Sequence, residues 1–222
     1  MSKLLLSVPT YLRSTIIPVY QNGPLSYEDT PLPVVIFSHG LVGNMNIHSA
    51  ILGELASQGI FCVAVEHRDG SGALSLVRDS ESKQTAGVPT KTTSVYFKNV
   101  SLKIKPGVYE ERDRQLQIRI FELMAAFRAL EMLNAGDPLH NLASDNLIVP
   151  KGALNLDPGA VTWAGHSLGG TTLIQMSIKC RERVGKKHRQ RQTCFYNAHP
   201  PPLLSRSLHP LPLCCLIRGS CP

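Results

Sequence analysis

Long hydrophobic runs, C-x-x-C spacings and abundant charge are all missing from this 222-residue sequence. No apolar stretch reaches the roughly 18 residues that a membrane-spanning helix needs, and Pro9 interrupts the short apolar run near the start. We therefore expect no signal peptide and a cytoplasmic protein. Charged residues make up 18% of the chain and apolar residues 43%, which favours a folded globular domain over a disordered one.

The basic charge and the cysteines are concentrated in the tail. From Ser177 onwards there are nine Lys or Arg and one acid, Glu182, whereas the first 176 residues carry 14 basic and 15 acidic side chains. The domain itself is thus near neutral, and we predict no nucleic-acid partner for it. Five of the six cysteines also lie in this tail, with His188, His199 and His209. A zinc site there is an alternative, but no C-x-x-C pair supports it, so we predict no metal and no cofactor.

Two apolar segments rich in β-branched residues predict buried strands at Pro33–Ser38 and Ile60–Val65. The pattern between them predicts a helix over Asn44–Gln58, ended by Gly59. The expected apolar face of this helix is Ile47, Ile51 and Leu55. A strand, a helix and a strand with short joints predict a βαβ unit, and therefore an α/β fold with a parallel sheet.

The second part of the domain begins with a segment of unclear periodicity, Ser71–Gly107, which we interpret as an excursion loop or lid. The apolar pattern over Tyr109–Asn134 predicts the longest helix of the chain. Its expected apolar stripe is Leu116, Ile120, Met124, Phe127 and Leu130. A strand at Ala160–Ala164 and a helix from Leu168 towards Ile178 follow.

Between this last strand and helix lies Gly-His-Ser-Leu-Gly, at residues 165–169, which matches the G-x-S-x-G nucleophile elbow. The elbow needs a sharp strand-to-helix turn, so glycines Gly165 and Gly169 flank His166 and Ser167 where backbones cross. The motif alone is weak, because a glycine-rich turn with a bystander serine also fits it. The strand and helix around it, and a His-Gly-Leu at residues 39–41 after the first strand, favour a serine nucleophile at Ser167.

The stretches "PLPVVIFSHGLVGN", "LASQGIFCVAVEHRDGSG" and "AGHSLGGTTLIQ" resemble the plasma and intracellular type II platelet-activating factor acetylhydrolases, especially their fungal members. The resemblance runs from about Leu12 to Ile178. It implies an α/β-hydrolase fold and calcium-independent hydrolysis of short or oxidised sn-2 acyl esters. It implies a phospholipid substrate, which the protein could bind at a membrane or lipoprotein surface. It also implies that Ser167 is the nucleophile and that the amides of Leu41 and Leu168 form the oxyanion hole.

Glu66, His67, Arg68 and Asp69 belong to the same family signature. We interpret them as residues that organise a loop below the site, rather than as reacting groups.

The sequence after the elbow departs from the family. A serine needs a base, and the base needs an acid, in the chain order Ser, Asp or Glu, His. No aspartate follows Ser167, and the acid and base candidates that remain are Glu182, His188, His199 and His209. We therefore expect impaired hydrolysis. The alternatives are a general carboxylesterase or lipase, and a catalytically inactive α/β-hydrolase-like binding module.

We divide the chain into an N-terminal segment (1–20), a partial α/β-hydrolase domain (21–178) without its C-terminal strands, and a basic Pro/Cys-rich tail (179–222). Two interpretations of the tail remain. It is either a basic arm for anionic lipid or nucleic acid, or a gene-model artefact such as a retained intron or a frameshift. The artefact is favoured because composition, periodicity and resemblance all change within a few residues.

Overall fold

The computed structural model describes residues 30–78, 92–101, 106–137, 149–157, 159–186 and 213–216, together with the single residues 19, 23, 25, 103 and 139. In chain order the elements are β1 (Leu32–Ser38), α1 (Ser49–Ser57), β2 (Phe61–Val65), β3 (Leu74–Arg78), β4 (Thr92–Tyr96), α2 (Val108–Ala135), β5 (Leu154–Asn155), β6 (Thr162–Gly165), α3 (Leu168–Lys186) and β7 (Leu213–Leu216).

The main sheet is built around β1, which pairs in parallel with β2, β5 and β6. Ser38, the last residue of β1, lies opposite Val65 of β2 and Gly165 of β6. The chain segments that leave these three strands therefore meet at one edge of the sheet. In open parallel sheets this carboxyl edge is where ligands bind.

The sheet is covered on both faces, because side chains alternate along a strand. On one face Val34 and Ile36 of β1 pack in a core that includes Leu123 and Phe127 of α2. On the other face Val35 packs in a smaller core with Leu52 of α1, together with Cys62 and Ala64 of β2. A strand buried on both sides explains the continuous apolar runs that predicted β1 and β2, and the predicted parallel α/β sheet is confirmed.

The first helix is shorter than predicted, and of its three predicted core residues only Leu55 packs against the core. Residues 41–48 form turns, and the Asn44 side chain accepts a hydrogen bond from the Asn46 amide at 2.9 Å. Such an asparagine turn competes with helix formation, so α1 begins only at Ser49. The predicted core residues Ile47 and Ile51 are 61% and 58% exposed, whereas Leu52 is fully buried. The predicted stop at Gly59 is confirmed by its φ of 82°.

The predicted loop or lid at Ser71–Gly107 was wrong in part, because β3 and β4 form an antiparallel ribbon within it. Most side chains of β4 are exposed, so the ribbon lacks the buried face that produces a hydrophobic pattern. Residues 79–91 lie outside the described part. The two-residue strand β5 was also missed.

The expectation that no strand follows the elbow helix was wrong at residues 213–216. There β7 pairs antiparallel with β2, with Cys62 opposite Leu216 and Val65 opposite Leu213. The rest of the segment from 187 onwards is outside the described residues, so the predicted tail boundary stays a prediction. No helix in the described part of the chain is both long and apolar enough to cross a membrane.

Candidate active site

Ser167 lies at the tip of the turn between β6 and α3, where the sequence motif places it. Its φ is 53°, a left-handed value that is rare for residues with a side chain. The turn is fastened by the His166 amide, which donates to Ser38 O at 3.1 Å, and by the Gly169 amide, which donates to His166 O at 2.9 Å. The Ser167 residue is exposed. A strained and firmly held turn thus presents the serine at the carboxyl edge of the sheet.

The two glycines of the motif are required by the closeness of the crossing backbones. A Cβ on Gly169 would stand 2.0 Å from Ser38 O, and one on Gly165 would stand 2.6 Å from the carbonyl carbon of Gly169. Real Cβ atoms do not approach a backbone this closely. Helix α3 can therefore begin against the end of β1 only because both positions lack a side chain.

The loop after β1 lies directly beside the serine. A Cβ on Gly40 would stand 3.2 Å from Ser167 Cβ and 3.0 Å from His166 Nδ1. Leu41 follows Gly40, and Leu168 follows Ser167 as the first residue of α3. Neither the Leu41 nor the Leu168 amide donates to another group in the described part of the chain. Two amides beside an exposed serine can both donate to an oxygen that becomes negative there.

A fully buried arginine, Arg119, forms hydrogen bonds with the loop that follows β1. Arg119 of α2 donates from Nε to Asp69 at 2.8 Å and from one terminal nitrogen to His39 O at 2.7 Å. Its other terminal nitrogen donates to the Ser71 hydroxyl at 2.6 Å, and Ser71 O accepts the Val42 amide at 2.7 Å. Arg119 and Asp69 are both essentially inaccessible to solvent. One guanidinium therefore connects α2 to both sides of the loop that carries Leu41.

A second buried chain of hydrogen bonds links Ser38, His67 and Glu122. Ser38 Oγ is 2.8 Å from His67 Nε2, and His67 Nδ1 is 2.9 Å from Glu122 Oε2. Burial raises the pKa of Glu122, which Arg68 opposes by donating to it at 3.0 Å. This is the Ser–His–acid order of a catalytic triad, but all three side chains are sealed from solvent. It therefore stabilises the end of β1 and cannot meet a substrate.

These contacts agree with the interpretation of residues 66–69 as organisers of a loop. Glu66 accepts the Met45 amide at 2.8 Å, and burial raises its pKa. The partners on α2 were missed by the sequence analysis: Gln115, Arg119 and Glu122 are fully buried. Their spacing of four and three residues puts them on one helix face beside the apolar stripe. This spacing is the sequence signal from which their burial could have been predicted. Of that stripe, Leu116 and Met124 are only partly buried.

The described residues do not supply a base for Ser167. Glu182 falls within α3, but its side chain is not among the described ones, and His188, His199 and His209 lie outside the described part. His48 and His166 contact each other near the serine, with ring centroids 5.1 Å apart. Across the described residues neither ring is paired with a carboxylate. The described residues thus bring Ser167 and the loop that carries Leu41 together at one edge of the sheet, without an acid–base pair beside them.

The buried histidines make stability depend on pH. Burial, reinforced by the neighbouring His67, lowers the pKa of His39 from 6.5 to about 4. Burial also lowers the pKa of His67 well below its ordinary value. Between pH 6.5 and 4, His39 is protonated in the unfolded chain but remains neutral in the folded protein. The stability that is present above pH 6.5 is therefore lost as the pH falls towards 4.

We expect His39→Asn to flatten this dependence. Relative to the variant, the unsubstituted protein should lose about 1.4 kcal/mol of unfolding free energy per pH unit between pH 6.5 and 4. Urea unfolding of both proteins at half-unit steps measures the difference. Because Glu66 and Glu122 are common to both proteins, their opposite contribution cancels in the comparison. Parallel curves for the two proteins would contradict the prediction.

Comparison with known proteins identifies a family for this chain. The model of the family "Platelet-activating factor acetylhydrolase, isoform II" matches residues 1–198. The match extends 20 residues beyond Ile178, the predicted end of the resemblance, and α3 also continues past that point.

Individual relatives come from vertebrates and from a fungus. A platelet-activating factor acetylhydrolase of Cavia porcellus is 36% identical over 78% of this chain and 38% of its own length. One of Gallus gallus is 30% identical over 79% of this chain and 42% of its own length. A Schizosaccharomyces pombe protein named "Putative phospholipase A2" is 32% identical over 78% of this chain and 41% of its own length. The chain thus spans about two fifths of the length of the curated relatives it matches.

The α/β-hydrolase class that the resemblance implied is confirmed by this family match and by the parallel sheet with helices on both faces. The strand-to-helix turn at Ser167 and the loop at Gly40 lie at the carboxyl edge of that sheet. The chain therefore belongs to the platelet-activating factor acetylhydrolase isoform II family.

Proposed function

We propose that Ser167 is the nucleophile of a serine esterase that hydrolyses the short sn-2 acyl ester of platelet-activating factor-like phospholipids. The observation that carries this proposal is the exposed Ser167 at φ 53°, with the Gly40 backbone packed against it. The relatives from Cavia porcellus and Gallus gallus are named for the acetylhydrolase activity. General carboxylesterase chemistry would use the same elbow, and a comparison of acetylated phospholipid with simple esters separates the two.

In this mechanism Ser167 Oγ attacks the acyl carbonyl carbon, and the carbonyl oxygen becomes an oxyanion. The amides of Leu41 and Leu168 donate to that oxygen, while Gly165, His166 and Gly169 hold the turn in place. Each such donor contributes about 10²- to 10³-fold to the rate. The intermediate collapses by breaking the bond between the acyl carbon and the sn-2 oxygen, which takes up the proton lost from Ser167 and leaves as the lysophospholipid alcohol. Water then attacks the acyl-serine, which releases the short carboxylic acid and restores the Ser167 hydroxyl. The Ser38, His67 and Glu122 chain takes no part in these steps because it is buried.

A lipid surface suits the apolar side chains beside the site. Val42 follows Leu41 and is 50% exposed, and Ile47 and Ile51 are exposed as well. We propose that these three side chains contact the lipid when the substrate is bound at a membrane or lipoprotein surface. The cytoplasmic location expected from the sequence stays a prediction.

The nucleophile is tested with a fluorophosphonate probe, which forms a bond to the serine oxygen and releases fluoride. We expect slow labelling of Ser167 in the 222-residue chain, because the described residues supply no base to activate the hydroxyl, and none in Ser167→Ala. Ser177→Ala is the matched control, because Ser177 is exposed on the same helix and its hydroxyl donates to Leu173 O, its one hydrogen-bond partner among the described residues. Equal labelling of the chain and of Ser167→Ala would overturn the assignment.

Turnover is expected to be weak in the 222-residue chain. A serine without its base retains roughly 10³- to 10⁴-fold catalysis over water, against several further orders for an intact triad. Acetate release from 1-alkyl-2-acetylglycerophosphocholine, compared with Ser167→Ala, measures this. Robust turnover that disappears in Ser167→Ala would show a working base, and His188, His199 and His209 would then be replaced in turn. Absence of both labelling and turnover would match an inactive binding module.

A further inference from the structure

The Gly40–Leu41 peptide is held through its carbonyl oxygen. His39 Nδ1 lies 2.8 Å from Gly40 O, and the Gly43 amide donates to the same oxygen at 3.2 Å. The peptide bond is trans, so its N–H points away from its C=O. Whatever fixes Gly40 O therefore fixes the direction of the Leu41 N–H.

The partners of the His39 ring assign its proton. The His67 backbone amide donates to His39 Nε2 at 3.3 Å, so Nε2 is the acceptor nitrogen. The proton is then on Nδ1, which donates to Gly40 O. The ring is 1% exposed and lies against the His67 ring, with centroids 5.0 Å apart and the ring planes tilted by 53°. Its orientation and its tautomer are both determined by contacts that no substrate can reach.

The neighbouring peptide groups are restrained as well. Arg119 donates to His39 O on one side, and the Val42 amide donates to Ser71 O on the other. Among the described residues, the bond from His39 Nδ1 to Gly40 O is the one side-chain hydrogen bond to the backbone between these two fixed points. A donor on a carbonyl also polarises the N–H of the same peptide, which strengthens that N–H as a donor.

We propose that His39 is a positioning residue whose Nδ1–H aims the Leu41 amide at the oxyanion formed on Ser167. The proposal rests on the function proposed above, since it requires Ser167 to react. His39 does not touch the reacting atoms. It acts through Gly40, whose backbone lies against Ser167.

Two amide substitutions separate this role from simple core packing. In His39→Asn the side-chain NH₂ can take the place of Nδ1, so the donor to Gly40 O is kept. In His39→Gln the longer side chain puts its amide near the position of Nε2, so the contact to the His67 amide is kept and the donor to Gly40 O is lost. Gln58→Ala, at an exposed position after α1, is the control for unrelated substitution.

The first measurement is the rate at which the fluorophosphonate labels Ser167. Misplacing a reacting group by about 1 Å costs roughly 100-fold in rate, so we expect His39→Gln to label about 100-fold more slowly than the unsubstituted chain. His39→Asn and Gln58→Ala should remain within a few-fold of it. Thermal melts of all four proteins identify any variant that is merely unfolded.

The second measurement is independent of reactivity. Gly-Leu occurs once in the sequence, at Gly40–Leu41. Labelling glycine with ¹³C at the carbonyl and leucine with ¹⁵N therefore gives one carbonyl-to-amide NMR signal, which reports this peptide alone. Loss of the His39 donor should move the Gly40 ¹³C signal upfield in His39→Gln and leave it nearly unchanged in His39→Asn.

Slow labelling and a shifted signal in His39→Gln, both rescued in His39→Asn, would support the proposal. Unchanged labelling of a folded His39→Gln would overturn it while leaving the nucleophile intact, and so would equal NMR signals in the two variants. If Ser167 is not labelled in the unsubstituted chain, the proposed function fails, and the positioning role fails with it. If His39→Gln is slow because it is unfolded, its thermal melt shows this. The Gly40 ¹³C signal of folded His39→Asn is then compared with that of the unsubstituted chain. A matching signal supports the proposal, and a shifted signal contradicts it.

Discussion

Gly169→Ala is expected to destabilise the protein by about 3 kcal/mol or more, because the new Cβ would overlap the backbone of another element. The added carbon would stand 2.0 Å from Ser38 O and 2.7 Å from the Ser38 carbonyl carbon. Neither atom can move without separating α3 from the end of β1. The loss should appear as a lower urea midpoint together with loss of Ser167 labelling.

The neighbouring glycine is the matched control for this substitution. A Cβ on Gly170 would meet nothing closer than Gly165 O at 3.6 Å, an ordinary contact. Gly170 lies in the first turn of α3, where alanine is favoured over glycine by about 0.5–1 kcal/mol. We therefore expect Gly170→Ala to be neutral or stabilising. Equal destabilisation by both substitutions would contradict the explanation of the Gly169→Ala effect by the close backbone crossing.

Arg119→Met should cost about 3–5 kcal/mol of unfolding free energy, because it leaves the buried Asp69 carboxylate without its partner. It also removes the donors to His39 O and to the Ser71 hydroxyl. Domains are stable by only about 5–15 kcal/mol, so this loss removes a large part of the stability. Urea unfolding at neutral pH measures the loss.

Two further variants identify the cause of this effect. Arg128→Met removes an exposed arginine of the same helix, whose bond to Glu131 is a surface ion pair worth about 0–1 kcal/mol. Adding Asp69→Asn to Arg119→Met removes the uncompensated charge and should recover part of the stability. The explanation is wrong if Arg119→Met costs no more than Arg128→Met.

The local parts of the fold were predictable because each depends on its own residues. β1, β2, β6, the stop at Gly59 and the turn at Ser167 were all located within about two residues. A strand buried on both faces needs a continuous apolar run, and a close backbone crossing needs glycine. Both requirements can be recognised in the sequence, as an apolar run and as a glycine at a fixed position. The roles of Ser167, Leu41 and Leu168 stay proposals, although the structure brings the three residues to one edge of the sheet.

The tertiary structure alone decided which polar side chains became buried and which apolar ones stayed exposed. Arg119 and Glu122 have the sequence appearance of a solvated helix face, yet both are fully buried. Ile47 and Ile51 have the appearance of a core face, yet both are exposed. The reason is that Arg119 and Glu122 find their partners, Asp69 and His67, about 50 residues away. No local pattern records a partner so distant. Whether a charge can be buried depends on the folded arrangement that brings its counter-charge within hydrogen-bonding distance.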